Sequence, residues 1–143
     1  MDRPNFRGSC FCGAVEITVT GEPVGMGFCH CASCRLWSAS PVNAFTLWAP
    51  ENVRVTKGGT SVGTFSKHPR SHRKFCKSCG GHVMTDHPLW GVTDVYAAVI
   101  PDFPFKAGVH VNYQEHVFRM QDGLPKQKDM PKEMGGSGEL LAE

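Results

Sequence analysis

An all-β domain is the fold class this sequence predicts, and three observations carry that prediction. Apolar and polar residues alternate at period two, glycine and proline interrupt the chain at short intervals, and no window holds an amphipathic helix longer than a few turns. The clearest alternation covers residues 14–20, where Val15, Ile17 and Val19 oppose Glu16, Thr18 and Thr20 and Gly21 and Pro23 end the run. Further strands are predicted over residues 42–47, 53–56, 61–65, 82–85, 94–100 and 116–120. Turn signals separate them at Gly58-Gly59, Pro69, Gly80-Gly81, Pro88, Pro101 and Pro104. Residues 32–38 suit one short helical turn. Many short strands with regular punctuation make a domain built of sheets.

The 143 residues suit a single domain, and 41% hydrophobic with 20% charged residues excludes wholesale disorder. The expected boundary lies at residue 125: a folded domain over 1–125, then a partly flexible arm over 126–143, rich in Lys, Pro, Gly and Met. Such an arm lies over a site or across a homodimer contact, and frays at residues 135–138. No apolar run approaches the roughly 20 residues a membrane span needs. The first seven residues carry no apolar stretch behind their charges, so a cytoplasmic protein is expected. A net charge of +2 and a pI near 8.2 argue against a dedicated nucleic-acid binder.

Seven cysteines give an odd count, which does not suit a disulfide framework. They occur as Cys10-Phe11-Cys12-Gly13, Cys29-His30-Cys31-Ala32-Ser33-Cys34 and Cys76-Lys77-Ser78-Cys79-Gly80-Gly81, so each has another within three positions. Neighbouring thiolates repel unless a cation holds them, and sulfur-rich sites suit zinc, with iron the competitor for a four-thiolate site. Gly13 and Gly80 follow the second cysteine of their pairs, where a tight metal-binding knuckle tolerates positive φ. Seven ligands divide as four plus three: a closed site of Cys10, Cys12, Cys76 and Cys79, and an open one of Cys29, Cys31 and Cys34. Spacing alone leaves other partitions open, including a closed second site completed by His30 or another histidine. An open three-thiolate zinc is electron-rich and a weak activator of water, but a substrate thiol suits its fourth position. The reaction class this suggests is delivery of a thiol to a small electrophile, or the reverse cleavage of carbon from sulfur. Arg35 would offset the anionic centre or fork onto a carboxylate of a peptide-like thiol. The basic stretch from Lys67 to Lys77 reads either as a site for such carboxylates or as a solvated loop entering a knuckle. A non-catalytic zinc module contacting protein or nucleic acid, and the same open zinc acting on another electrophile such as an imine, are the alternatives.

Three stretches, Gly8-Ser9-Cys10-Phe11-Cys12-Gly13-Ala14-Val15, Cys29-His30-Cys31-Ala32-Ser33-Cys34-Arg35 and Phe75-Cys76-Lys77-Ser78-Cys79-Gly80, resemble the glutathione-dependent formaldehyde-activating enzyme family, which includes centromere protein V-like relatives. Asp122-Gly123-Leu124-Pro125 is similar to that family's C-terminal signature. The resemblance implies twisted antiparallel sheets of the β-tent type and two zinc ions. It puts Cys10, Cys12, Cys76 and Cys79 on a structural zinc, and Cys29, Cys31 and Cys34 on a catalytic one. It also implies a carbon–sulfur lyase that joins glutathione, as co-substrate, to formaldehyde. Pocket walls are expected from residues 37–48 and 101–108, with Trp37, Trp48, Trp90, Phe103 and Phe105 serving either as walls or as plain core.

Overall fold

The computed structural model describes residues 3–143. Twelve strands follow in chain order: β1 (Asn5–Ser9), β2 (Glu16–Thr20), β3 (Gly25–Cys29), β4 (Asn43–Trp48), β5 (Val53–Lys57), β6 (Val62–His68), β7 (Ser71–Cys76), β8 (His82–His87), β9 (Val92–Tyr96), β10 (His110–Val111), β11 (Lys126–Gln127) and β12 (Leu140–Leu141). One α-helix, α1 (Ala32–Ser38), lies between β3 and β4. The fold is all-β, as the alternation predicts, with twisted sheets and knuckles of cysteine. Among the described residues no helix is long and apolar enough to cross a membrane.

The chain forms two compact units, one of residues up to Gly25 with Thr46–Pro104, the other of Met26–Phe45 with Phe105–Glu143. In the first, β1, β2 and β5 make an antiparallel three-stranded sheet in that order. Val15, Ile17 and Val19 are buried beneath it, so the predicted alternation does point one way. A second sheet runs β9-β8-β7-β6, antiparallel throughout. Trp48 is fully buried in this unit, its Nε1–H donating to Thr46 Oγ1 at 2.8 Å. Its ring meets Phe103 edge-on at 5.5 Å, and Phe103 meets Phe6 at 5.2 Å. Trp48 and Phe103 are therefore core, the plainer of their two expected roles.

In the second unit β10 pairs in parallel with both β3 and β11, and β11 pairs antiparallel with β12. These two short parallel ladders contrast with the antiparallel ladders of the first unit. Residues 126–143 hold β11 and β12, and Lys128 N–H donates to Glu139 O at 2.8 Å.

Three local expectations change. The stretch from Lys67 to Lys77 is largely hairpin: β7 pairs with β6 on one side and β8 on the other, and Lys74 Nζ lies 3.8 Å from Asp86. The strand expected over 94–100 stops at Tyr96, where a 3-10 turn, Ala97–Val99, begins. Residues 116–120 form no strand; Met120 N–H is taken by the Tyr113 hydroxyl at 3.0 Å instead of a neighbouring chain, and Val117 and Phe118 face solvent.

Gly58 shows how tightly the first unit closes. Its φ is +73°, and a Cβ there would lie 2.0 Å from the Ala14 carbonyl oxygen. Left-handed backbone and a backbone clash act together, so Gly58→Ala is expected to cost about 2–4 kcal/mol. Denaturant titration measures this, and an unchanged midpoint would show that the turn relaxes freely.

Candidate functional site

The four-thiol cluster is built where strands end. Cys10 follows β1, and Cys76 closes β7. Both strands then run into tight turns: Gly13 N–H donates to Cys10 O, three residues back, at 3.2 Å, and Gly80 N–H to Cys76 O, four residues back, at 2.7 Å. Gly13 and Gly80 take φ of +82° and +77°, the positive values a knuckle glycine is expected to supply. The turns aim backbone N–H groups at sulfur, from Val15 to Cys10 Sγ and from Gly81 to Cys79 Sγ, each at 3.3 Å. All four Sγ atoms lie within 4.8 Å of one another. Cys10–Cys12 and Cys12–Cys76 are each 3.8 Å apart. A tetrahedral ion with sulfur bonds of about 2.3 Å spaces its ligands by about 3.8 Å, so the donors fit such an ion.

Crowding makes the thiols unequal. Burial raises Cys10, but hydrogen bonds from Val15, Cys76, Cys12 and Gly13 outweigh it and leave that thiol below its ordinary value. The N–H groups of Gly81 and Cys12 lead in drawing Cys79 down to about 6. The N–H of Ala14 lowers Cys12, yet burial and the Cys79, Cys10 and Cys76 sulfurs together push it up to about 11. Left to themselves, four close thiols share few negative charges; a bound cation removes the conflict.

The second cluster lies wholly in the second unit. Cys29 ends β3; Cys31 caps α1, its Sγ accepting from Cys34 N–H at 3.3 Å; Cys34 sits within the helix. Their three Sγ atoms also lie within 4.8 Å of one another. Cys31 and Cys34, then burial, push the Cys29 thiol well above its usual value. Sequence and structure thus agree on the four-plus-three partition of the sulfurs.

Arg35 braces this loop. Its Nε donates to His30 O at 3.0 Å, and its guanidinium also donates to Glu115 O at 3.2 Å. Glu115 returns to the loop through its carboxylate, which accepts from Ala32 N–H at 3.1 Å. The contacts observed for Arg35 are thus positioning ones, to backbone carbonyls on either side of the loop. Asn112, which sequence reasoning missed, takes φ of 56° and sends its Nδ2–H to Cys29 Sγ at 3.6 Å. No spacing could have pointed to it, since 83 residues separate the two.

His30 is fully buried, and its Nε2 lies 2.8 Å from His110 Nδ1. Burial leads in holding it down to about 4, with smaller electrostatic contributions from His110, His116, Lys126 and Arg35, so it is neutral near pH 7. His110 is equally buried and lies 2.7 Å from Asp122 Oδ2. Burial pushes Asp122 up, but Lys126, His110 and Leu124 N–H outweigh it and hold the carboxyl well below the usual range. Of the other expected residues, Phe105 meets Phe28 at 5.6 Å and Trp90 lies against His87 at 5.3 Å. A cavity of about 440 Å³ in the first unit, with Val53, Val55, Val62, Met84, Lys74 and Asp86 among its walls, includes none of the cysteines.

Residues 5–119 match the family model for the glutathione-dependent formaldehyde-activating enzyme, and the chain belongs to that family. It is 32% identical over 77 residues to an uncharacterized lyase of Schizosaccharomyces pombe, an overlap of 54% of either chain. The chain thus spans about half the length of that curated relative. It also resembles a crystal structure of a Rhodobacter sphaeroides protein, with a TM-score of 0.57 and 22% identity over 68% of this chain and 89% of the other. That likeness concerns the fold alone.

Proposed function

We propose that this member of the family is a carbon–sulfur lyase that joins a thiol such as glutathione to formaldehyde or a similar small electrophile, and cleaves the product in reverse. The observation that carries this reading is the difference between the two clusters: four convergent sulfurs in one, three in the other. Four thiolates close a structural zinc site, whereas three leave a position for a guest. Family membership and the lyase among its relatives support the reaction class. In the reaction the thiol sulfur bonds to the carbonyl carbon, the carbonyl π bond opens onto oxygen, and the thiol proton ends on that oxygen.

Cys10, Cys12, Cys76 and Cys79 would hold the structural zinc, and Cys29, Cys31 and Cys34 the catalytic one. Zinc held by three thiolates would take up a soft fourth ligand and strip a thiol of its proton while leaving its sulfur nucleophilic. The protein's own part is orientation. Asn112 and the Cys34 N–H fix two of the sulfurs, and Arg35 pins the backbone between them. Arg35 also brings a permanent positive charge to offset three thiolates, which no lysine could supply with the same two-carbonyl geometry. The setting proposed is the cytoplasm, where reduced glutathione is abundant.

Formaldehyde adds to thiols unaided, so the test must measure excess rate. Exchange NMR of glutathione with formaldehyde should show interconversion faster than background, in proportion to protein added. Stripping metal with a chelator should return the rate to background, and zinc should restore it. A rate no greater than that of the uncatalysed mixture would sink the proposal.

A further inference from the structure

Four side chains of the second unit form an unbroken hydrogen-bonded line that ends in the three-thiol loop, Lys126, Asp122, His110 and His30, all buried but Asp122, whose side chain is 30% exposed. Lys126 is 1% exposed although charged, and its Nζ donates to Asp122 Oδ1 at 2.6 Å and to Leu124 O at 2.9 Å. The other Asp122 oxygen faces His110 Nε2 at 2.7 Å, and His110 Nδ1 faces His30 Nε2 at 2.8 Å. Both histidines are 0% exposed. His30 Nδ1, at the far end, is buried with no hydrogen-bond partner.

Hydrogen bookkeeping fixes the pattern. A carboxylate only accepts, so His110 Nε2 must carry a hydrogen. If His110 is neutral, its Nδ1 is then a lone pair, His30 Nε2–H must donate to it, and His30 Nδ1 is left as a bare acceptor. The opposite arrangement makes His110 a fully buried imidazolium within reach of the Lys126 cluster. It would also force the His30 hydrogen onto Nδ1, where it would be an orphaned donor. Buried N–H groups without partners are rarer than under-used acceptors, and a second buried cation adds a desolvation cost. Glu143 Oε2, 3.7 Å from Lys126 and 31% exposed, completes the charges around the lysine.

We infer that Asp122 and Lys126 are positioning residues: acting through His110, they lock His30 as the Nε2–H tautomer, with an unprotonated Nδ1 in the middle of the Cys29–Cys31 loop. The consequence is mechanical as well as chemical. Locked between His110 and Tyr113, with ring centroids at 5.1 and 4.8 Å, His30 holds the peptide joining two of the three sulfurs in a single orientation. A turned ring would displace those sulfurs. The tautomer stands on hydrogen bonding alone; its effect on rate rests on the function proposed above.

The experiment is long-range nitrogen–proton NMR of histidine-labelled, metal-loaded protein near pH 7. The expected spectrum has His110 and His30 each protonated only on Nε2. A hydrogen on His30 Nδ1, or on both nitrogens of His110, overturns the inference even if no variant folds. In Asp122→Asn, His110 should lose its preference and His30 should gain an Nδ1–H population; an unchanged pattern also overturns it. If the pattern changes and metal content is kept, kcat should fall about 10- to 100-fold with little change in KM. Unchanged kcat overturns the positioning role. Unmodified protein with no excess rate over background would instead fail the proposed function and leave the spectrum to decide the tautomers.

Discussion

Serine at Cys76 is expected to unfold the first unit or to lower its melting temperature by more than about 10 °C. The size of the effect discriminates between two pictures of the four-thiol cluster. Cys76 is fully buried and lies at the end of β7, so replacing its sulfur by a hydroxyl in a metal-free core would cost on the order of 1–3 kcal/mol. For a chain of this length that is a shift of a few degrees. A structural zinc contributes far more, because the unfolded chain cannot reproduce the site: about 10–16 kcal/mol in small zinc domains. Total stability is only about 5–15 kcal/mol, so losing one of four ligands consumes most of it. Calorimetry with metal analysis checks this. A shift of two or three degrees with metal content unchanged would remove the structural role from the cluster.

What could be read in advance was what is local. Period-two alternation locates β2, where Ile17 and Val19 are buried together with Val15 just before the strand, and the glycine after each cysteine pair signals knuckles whose φ is positive. The short helix α1 matches its predicted residues 32–38. Grouping of sulfurs within three positions was enough to propose both clusters, because ligands close in sequence need little help from the fold to converge. Features that depend on approach between distant segments were not legible. β3 is Gly-Met-Gly-Phe-Cys, which carries no strand pattern; Gly27 is there because a Cβ would lie 2.2 Å from Val109 O. β7 reads as a run of cations, and only the ladders on both sides and Asp86 opposite make it a strand. Asn112, His110 and Lys126 look ordinary one at a time. Their meaning lies in contacts with Cys29, His30 and Asp122, and sequence spacing is silent on which polar groups the fold brings together.

Replacing Cys29, Cys31 and Cys34 by serine together should have the opposite profile to Cys76→Ser: activity lost, first unit kept. All three belong to the second unit, while every member of the four-thiol cluster belongs to the first. Metal content should therefore fall from two ions per chain to one, with the melting transition of the first unit retained. Lewis-acid and thiolate activation by a bound metal supplies several kcal/mol of transition-state stabilisation, so the excess rate of thiol–formaldehyde exchange should drop about 10²- to 10³-fold. The serine hydroxyls match the shape of the thiols but are hard, weakly acidic ligands that do not replace thiolate for zinc. The buried Cys29 position is the one place where this exchange brings a packing penalty, so Cys31→Ser or Cys34→Ser alone provides a gentler control in the same loop. Two outcomes would dispose of the catalytic assignment. Retention of the full excess rate would show that the chemistry lies elsewhere. Loss of both metal ions with collapse of the whole chain would make the three-sulfur cluster a structural staple.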